Sequence, residues 1–239
     1  VKVNGKYGSI DSVGNQVIPF KYDSYIYFFG GLASVKLGNP YGVINKMGQV
    51  VIPFIYDGAT MFNDGYLPVK KGKNYGVVDK KGKEIIPFKY SSTNVLDKNF
   101  SLVAVEDKKG YINNNTGKEI TPIKYDKGYI FVNGLAAVEL NKKFGYINAL
   151  GKEIIPIKYD HAAEFEAGFA IVKLNNKYGF INILGLPITP IKYDKANDFK
   201  DGVALVQLNG KQTIINKRGE EIIPFKYEII GNFSEELAG

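Results

Sequence analysis

Seven times along this chain a proline is followed three residues later by a tyrosine. The prolines are Pro19, Pro53, Pro87, Pro122, Pro156, Pro190 and Pro224, separated by 34, 34, 35, 34, 34 and 34 residues. So strict a period means one supersecondary unit copied in tandem, and the fold has to be reasoned from that unit. Seven copies of 34 residues and one inserted residue account for the 239 residues of the chain. Val1 then stands at the phase of Val35 and Gly239 at that of Ser34, and a single repeat domain over residues 1–239 is predicted.

Within one copy, residues 134–140 alternate small or apolar residues with others and read as a strand. A polar turn at Asn141 and Lys142 leads into a second strand at Phe144, Gly145, Tyr146 and Ile147, and a third covers residues 153–157. The turn between the second and third strands is the clearest local signal. It opens with Asp11, Asn45, Asp79, Asn148, Asn182 or Asn216, and its fourth position is Gly14, Gly48, Gly82, Gly117, Gly151, Gly185 or Gly219. An Asx side chain caps a type I turn, and glycine accepts the positive φ that ends it. The fourth copy carries its extra residue in this loop, at Asn113-Asn114-Asn115-Thr116-Gly117, where an insertion loses no ladder bond.

The third strand, Ile-Ile-Pro-Phe or a close variant, predicts burial on both faces. Its proline cannot donate to a ladder, which places it at a sheet edge or a bulge. Small residues (Ala33, Ala136, Ala170, Ala204) predict a crowded first strand. A recurrent apolar residue (Phe28, Phe62, Leu96, Phe131, Phe165, Phe199, Phe233) is expected to plug the gap between copies.

The fold class that follows is all-β, with seven tandem antiparallel units of three or four short strands stacked face to face. An open β-solenoid or superhelical array needs polar caps, and the terminal copies are as apolar as the others (Val17, Ile18, Phe20; Ile222, Ile223, Phe225). Closure into a seven-bladed β-propeller-like ring is therefore predicted. The open array stays as the alternative, because 34 residues is short beside the roughly 40–45 of a common four-stranded blade.

A hydrophobic content of 45% is ample for a core. The absence of cysteine excludes disulfides and thiolate metal sites; an extracellular or cell-surface location is favoured, with the cytosol left open. No apolar run approaches the ~20 residues of a membrane span, so no membrane insertion is expected. With neither an initiator methionine nor a signal peptide, a mature form or a fragment is expected. The net charge is +7, and of 31 basic residues Arg218 alone is arginine. Lysine is a hydrated point charge without the bidentate fork that reads phosphates and guanine edges, so specific nucleic-acid binding is not expected. A solvated lysine-rich surface is the plain reading, and attraction of polyanions the alternative.

The copies resemble the bacterial WG-repeat family (also called KWG repeats). Its pattern runs through Gly-Leu-Ala, Lys-Trp-Gly, an Asx-to-Gly turn and Ile-Pro-x-x-Tyr-Asp, and the likeness covers the whole chain. The aromatic before glycine is here Tyr7, Tyr41, Tyr75, Phe144 or Tyr178, while the fourth copy has Lys109-Gly110 and the seventh Gln212-Thr213. The resemblance implies a non-enzymatic repeat module, often surface-associated or joined to other domains, and it brings no catalytic residues to carry over.

The seven tyrosines of the Pro-x-x-Tyr steps could form a ladder for sugars or bases. A residue present in every copy is explained more simply by a contact every copy makes, with the ring packed between copies and the hydroxyl hydrogen-bonded. The acids that follow (Asp23, Asp57, Asp126, Asp160, Asp194, Glu228) supply one carboxylate per copy. Calcium takes about six to eight oxygens, so no metal site is predicted, and each Asp is expected to start the next turn beside a solvated lysine. His161 is the only histidine, and no serine lies in a nucleophile elbow. No carboxylate pair is marked out and the glycines keep turn phase. Accordingly no catalytic residue and no cofactor are assigned, and a glycan-acting enzyme is the least favoured reading.

The expected function is a rigid scaffold presenting variable loops to a protein or glycan partner, with a structural, self-associating spacer as the alternative. Candidate ligand-binding residues lie where the rhythm is broken. They are Tyr25 and Tyr27 (with Ile26), Asn94 and Phe100 within residues 94–100, and Tyr129 (with Ile130). Exposed aromatics at variable positions are better binding candidates than those found in every copy.

Overall fold

The computed structural model describes residues 1–230 and the backbone of two further strands, Phe233–Ser234 and Leu237–Ala238. Every helix or strand among the described residues is a β-strand, and each sheet is antiparallel, as the repeat pattern requires. The chain divides into two compact halves, Val1–Lys124 and Tyr125–Gly239.

The first half holds four sheets. In chain order their strands are Lys2–Val3, Lys6–Ile10 and Gln16–Tyr22; Leu32–Lys36, Tyr41–Asn45 and Val50–Tyr56; Gly58–Ala59, Tyr66–Lys71, Asn74–Asp79 and Glu84–Tyr90; and Ser92–Val95, Phe100–Val105, Lys108–Asn113 and Lys118–Glu119. The second half holds Lys127–Gly128, Leu135–Leu140, Lys143–Asn148 and Glu153–Tyr159; His161–Ala162, Phe169–Leu174 and Lys177–Asn182; and Lys195–Ala196, Val203–Leu208 and Lys211–Asn216. A full sheet thus has a short fringe strand, a first and second strand joined by a tight hairpin, and a third strand at the outer edge.

The Asx-to-Gly turns form as the residue types dictate. Gly48 N donates to Asn45 O at 2.9 Å, and Asn45 Oδ1 accepts from Met47 N and Gln49 N at 3.0 Å each. The turn glycines have φ between 68° and 92°, which a side chain rarely adopts. In the fourth copy the enlarged loop turns inward. Asn114 is 1% exposed; its Oδ1 accepts from the Ser101 hydroxyl at 2.7 Å and its Nδ2 donates to Asp97 O at 2.9 Å.

The third strand departs from the expected two-faced burial. Ile18, Tyr22, Ile52 and Tyr56 are buried, but Val17 and Val51 are 42% and 36% exposed. The reason is a bulge at the proline. Tyr41 pairs with Tyr56 and Val43 with Ile52, so Pro53, Phe54 and Ile55 all face Gly42. That crowding explains the glycine after the aromatic: a Cβ on Gly42 would stand 2.9 Å from Ile52 O and from Phe54 Cγ.

Two copies have threonine before this proline. Thr121 Oγ1 accepts from Tyr111 N at 2.9 Å and Thr189 Oγ1 from Phe180 N at 3.1 Å, a side-chain oxygen standing in for the ladder carbonyl.

Within each half the sheets pack face to face. One core between neighbouring sheets joins Val43, Ile52 and Tyr56 to Phe62, Leu67, Val69 and Val78. In the second half Tyr146, Ile155 and Tyr159 join Phe165, Ala170, Val172 and Ile181. Phe62, Phe165 and Phe199 are buried as plugs, and Phe28, Leu96 and Phe131 are half-buried. The Phe233 side chain lies outside the described residues.

Candidate functional site

The residues that recur in every copy are engaged in holding copies together. Of the Pro-x-x-Tyr tyrosines, Tyr22, Tyr56, Tyr90, Tyr125, Tyr159 and Tyr193 are at most 5% exposed, and Tyr227 is 42% exposed. Tyr22 stacks on Phe54 of the next copy at 6.2 Å and Tyr56 on Phe88 at 6.0 Å. Tyr90 donates its hydroxyl to Glu119 at 2.8 Å. Burial first, then that bond, pushes the Tyr90 phenol up to about 12. Burial likewise raises Tyr22, Tyr56, Tyr125, Tyr146 and Tyr193. The Tyr22 hydroxyl is buried with no hydrogen-bond partner among the described residues.

The aspartates after these tyrosines do not start the turn expected of them; they clamp a turn 15 residues further on. One oxygen of Asp23, Asp57, Asp126, Asp160 and Asp194 accepts from the backbone N of Gly38, Gly72, Asn141, Asn175 and Asn209, at 2.6–2.7 Å. The other oxygen of Asp23, Asp160 and Asp194 pairs with Lys6, Lys143 and Lys177. That lysine, more than the backbone donor, holds each of the three carboxyls below the ordinary Asp value. Among the described residues no three His, Asp or Glu side chains are grouped to hold a metal.

The candidate residues fall differently. Tyr25 and Tyr27 are 66% and 57% exposed, in the first half. Between and after them Ile26 and Phe28 turn inward onto the core of Ile18, Tyr22, Ala33, Val35 and Ile44. Phe29, which sequence reasoning passed over, continues the outward alternation at 46% exposure. Five other copies have Ala59, Thr93, Gly128, Ala162 or Ala196 at the phase of Tyr25 and pair it in the fringe strand, as Ala59 pairs with Val69. Residues 25–28 form no fringe strand, and the Tyr25 ring lies edge-on to Tyr7 at 5.9 Å.

Asn94 is exposed on Ser92–Val95, whereas Phe100, at 9% exposure, begins the first strand of its sheet with its ring in the interior. Tyr129 is half-buried in the second half, against Phe144 at 6.4 Å. His161 is exposed at the mouth of an open cleft of about 480 Å³ shared with Asp160, Lys173, Tyr178 and Asp198.

Two lysines frame the first-half aromatics. Lys2 Nζ is 5.0 Å from the centre of the Tyr7 ring. Lys80 Nζ is 3.9 Å from where a Cβ on Gly30 would stand, at the turn that follows Phe29. Basic residues are spread through the repeat phase but not along the chain. Residues 1–124 hold 17 lysines and 10 acids, while residues 125–239 hold 14 of each sign, so the whole +7 belongs to the first half.

The profile of the family described as "WG containing repeat" matches residues 7–39, 41–75, 75–108, 110–144, 144–178, 178–211 and 213–239. No curated protein sequence matches the chain. Among solved structures, Kluyveromyces lactis Hsv2p is 11% identical, with 78% of this chain and 71% of that one covered at a TM-score of 0.40. Kluyvelomyces marxianus Hsv2 is 11% identical (87% and 77% covered, TM-score 0.39), and a eukaryotic initiation factor is 10% identical (93% and 72%, TM-score 0.45). Likenesses of this size carry no functional inference.

Proposed function

This chain belongs to the WG-repeat family, and we propose that it is a non-catalytic binding scaffold whose rhythm-breaking surface takes a protein or glycan partner. The observation that carries this reading is a division of labour among aromatics. Six of the seven tyrosines of the regular steps are buried between copies, whereas Tyr25 and Tyr27, which have no counterpart in the other copies, stand mostly in solvent. A rigid stack of sheets positions such side chains at little entropic cost on binding. Engagement outside the cell or at its surface belongs to the same proposal, since a chain without cysteine is indifferent to the oxidising exterior.

The test is a glycan array run beside a protein pull-down, each with the native chain and with Tyr27→Ala. Capture of either class that weakens in the variant supports the reading. Capture of neither, or capture that ignores the variant, overturns it.

A further inference from the structure

Resting on that binding reading, we propose that the Tyr25–Tyr27–Phe29 row is a subsite for an acidic polysaccharide, a linear glycan bearing carboxylates. The three rings point outward at alternate positions of an extended segment whose intervening residues, Ile26 and Phe28, are anchored in the core. Four residues of chain reach at most about 13–14 Å, room for no more than a few consecutive sugar rings. Tyr7 extends it at one end through its edge-on contact with Tyr25.

Each end of the row carries an ammonium. Lys2 sits over Tyr7, and Lys80 reaches the turn after Phe29. Both lysines are exposed, and neither makes an ion pair among the described residues. Two nearby acids are otherwise occupied: Asp79 Oδ1 accepts from Lys81 N and Lys83 N, at 2.8 and 2.9 Å, and Asp23 is held by Lys6 and Gly38; exposed Asp64 adjoins Gly65, whose Cβ position is also 3.9 Å from Lys80 Nζ. The half that carries the row also carries the entire net charge of the chain.

Rings and lysines together decide the class. A bare polyanion would need only the lysines, and a neutral glycan only the rings. Flat tyrosine faces take the C–H faces of sugars, their hydroxyls meet sugar oxygens, and the terminal ammoniums meet carboxylates. A lysine-rich, arginine-poor surface suits isolated carboxylates better than phosphates, which favour the arginine fork.

Affinity electrophoresis of the whole chain in polygalacturonate gels tests this, with dextran as the neutral control and phosphatidylcholine–phosphatidylserine vesicles as an anionic lipid control. Retardation by polygalacturonate alone is expected. Tyr25→Ala and Tyr27→Ala should each weaken it about tenfold, the scale of one lost aromatic stack. Lys80→Gln should weaken it and flatten its salt dependence, while Leu184→Ser, on an exposed turn of the other half, should leave it unchanged. The melting temperature checks that each variant is folded.

Equal retardation by dextran, binding of vesicles without polygalacturonate, or indifference to both tyrosine variants overturns the acidic-glycan assignment. If polygalacturonate fails while a protein partner is captured through Tyr27, this inference falls and the broader binding reading stands. If nothing is captured, both fall.

Discussion

At the residue scale the pattern is one of small side chains making room for large ones. Gly145 allows the bulged third strand to cross its Cα: a Cβ there would stand 2.6 Å from Ile155 O and 2.7 Å from Ile157 N. Gly145→Ala should therefore cost about 1–3 kcal/mol by overpacking, read from urea unfolding. The seventh copy shows the alternative solution. Thr213 replaces the glycine and its hydroxyl donates to Ile223 O; the third strand there is reduced to isolated bridges at Glu221 and Tyr227, as it also is in the sixth copy, which has Gly179. The buried tyrosines differ in a way only their hydroxyls reveal. Tyr90→Phe strands part of the Glu119 hydrogen bonding and should cost about 1–2 kcal/mol. Tyr22→Phe removes a buried hydroxyl that has no partner, and its unfolding midpoint should be unchanged or raised. The tyrosine period was plain in the sequence. Which hydroxyl is satisfied was not, because it depends on Glu119 standing where the second copy has Val50.

At the scale of elements, the Asx-to-Gly hairpins were legible because a turn is settled by a few consecutive residues. The aspartate clamp was not, because its acceptor and donors lie 15 and 17 residues apart and meet only when one copy packs on the next. The clamp has a pH signature with a definite sign. The carboxyls of Asp23, Asp160 and Asp194 lie below their unfolded value, so their contribution is complete above that value, about 3.9, and is lost as pH falls through the lower folded values. Thermal stability should fall below about pH 4, and Asp160→Asn should make that fall shallower. The inserted loop makes a separate prediction. Asn114→Ala leaves the buried Ser101 hydroxyl without its acceptor and should cost about 1–3 kcal/mol, a loss no exposed loop tip would show.

At the scale of the whole molecule, eight of the 17 tyrosines are buried (Tyr22, Tyr56, Tyr90, Tyr111, Tyr125, Tyr146, Tyr159, Tyr193), and burial raises the phenols of six of them, Tyr22, Tyr56, Tyr90, Tyr125, Tyr146 and Tyr193. A phenol raised by burial favours the folded state fully below its unfolded value of about 10, and that contribution is lost as pH rises through the folded value. Absorbance at alkaline pH should therefore show these six phenols ionising only above about pH 10, with stability falling as they do. The sequence by itself determined the all-β class, the seven copies, their hairpins and the membership of the repeat family, because these follow from local residue patterns repeated at one period. Tertiary structure alone decided the single-sided burial of the third strand, the reach of each aspartate into the following copy and the inward turn of Phe100. It also separated Tyr25 and Tyr27, left in solvent, from tyrosines of the same chemistry buried between sheets. Exposure is a property of what packs against a side chain, and that neighbour is one full copy away in the sequence.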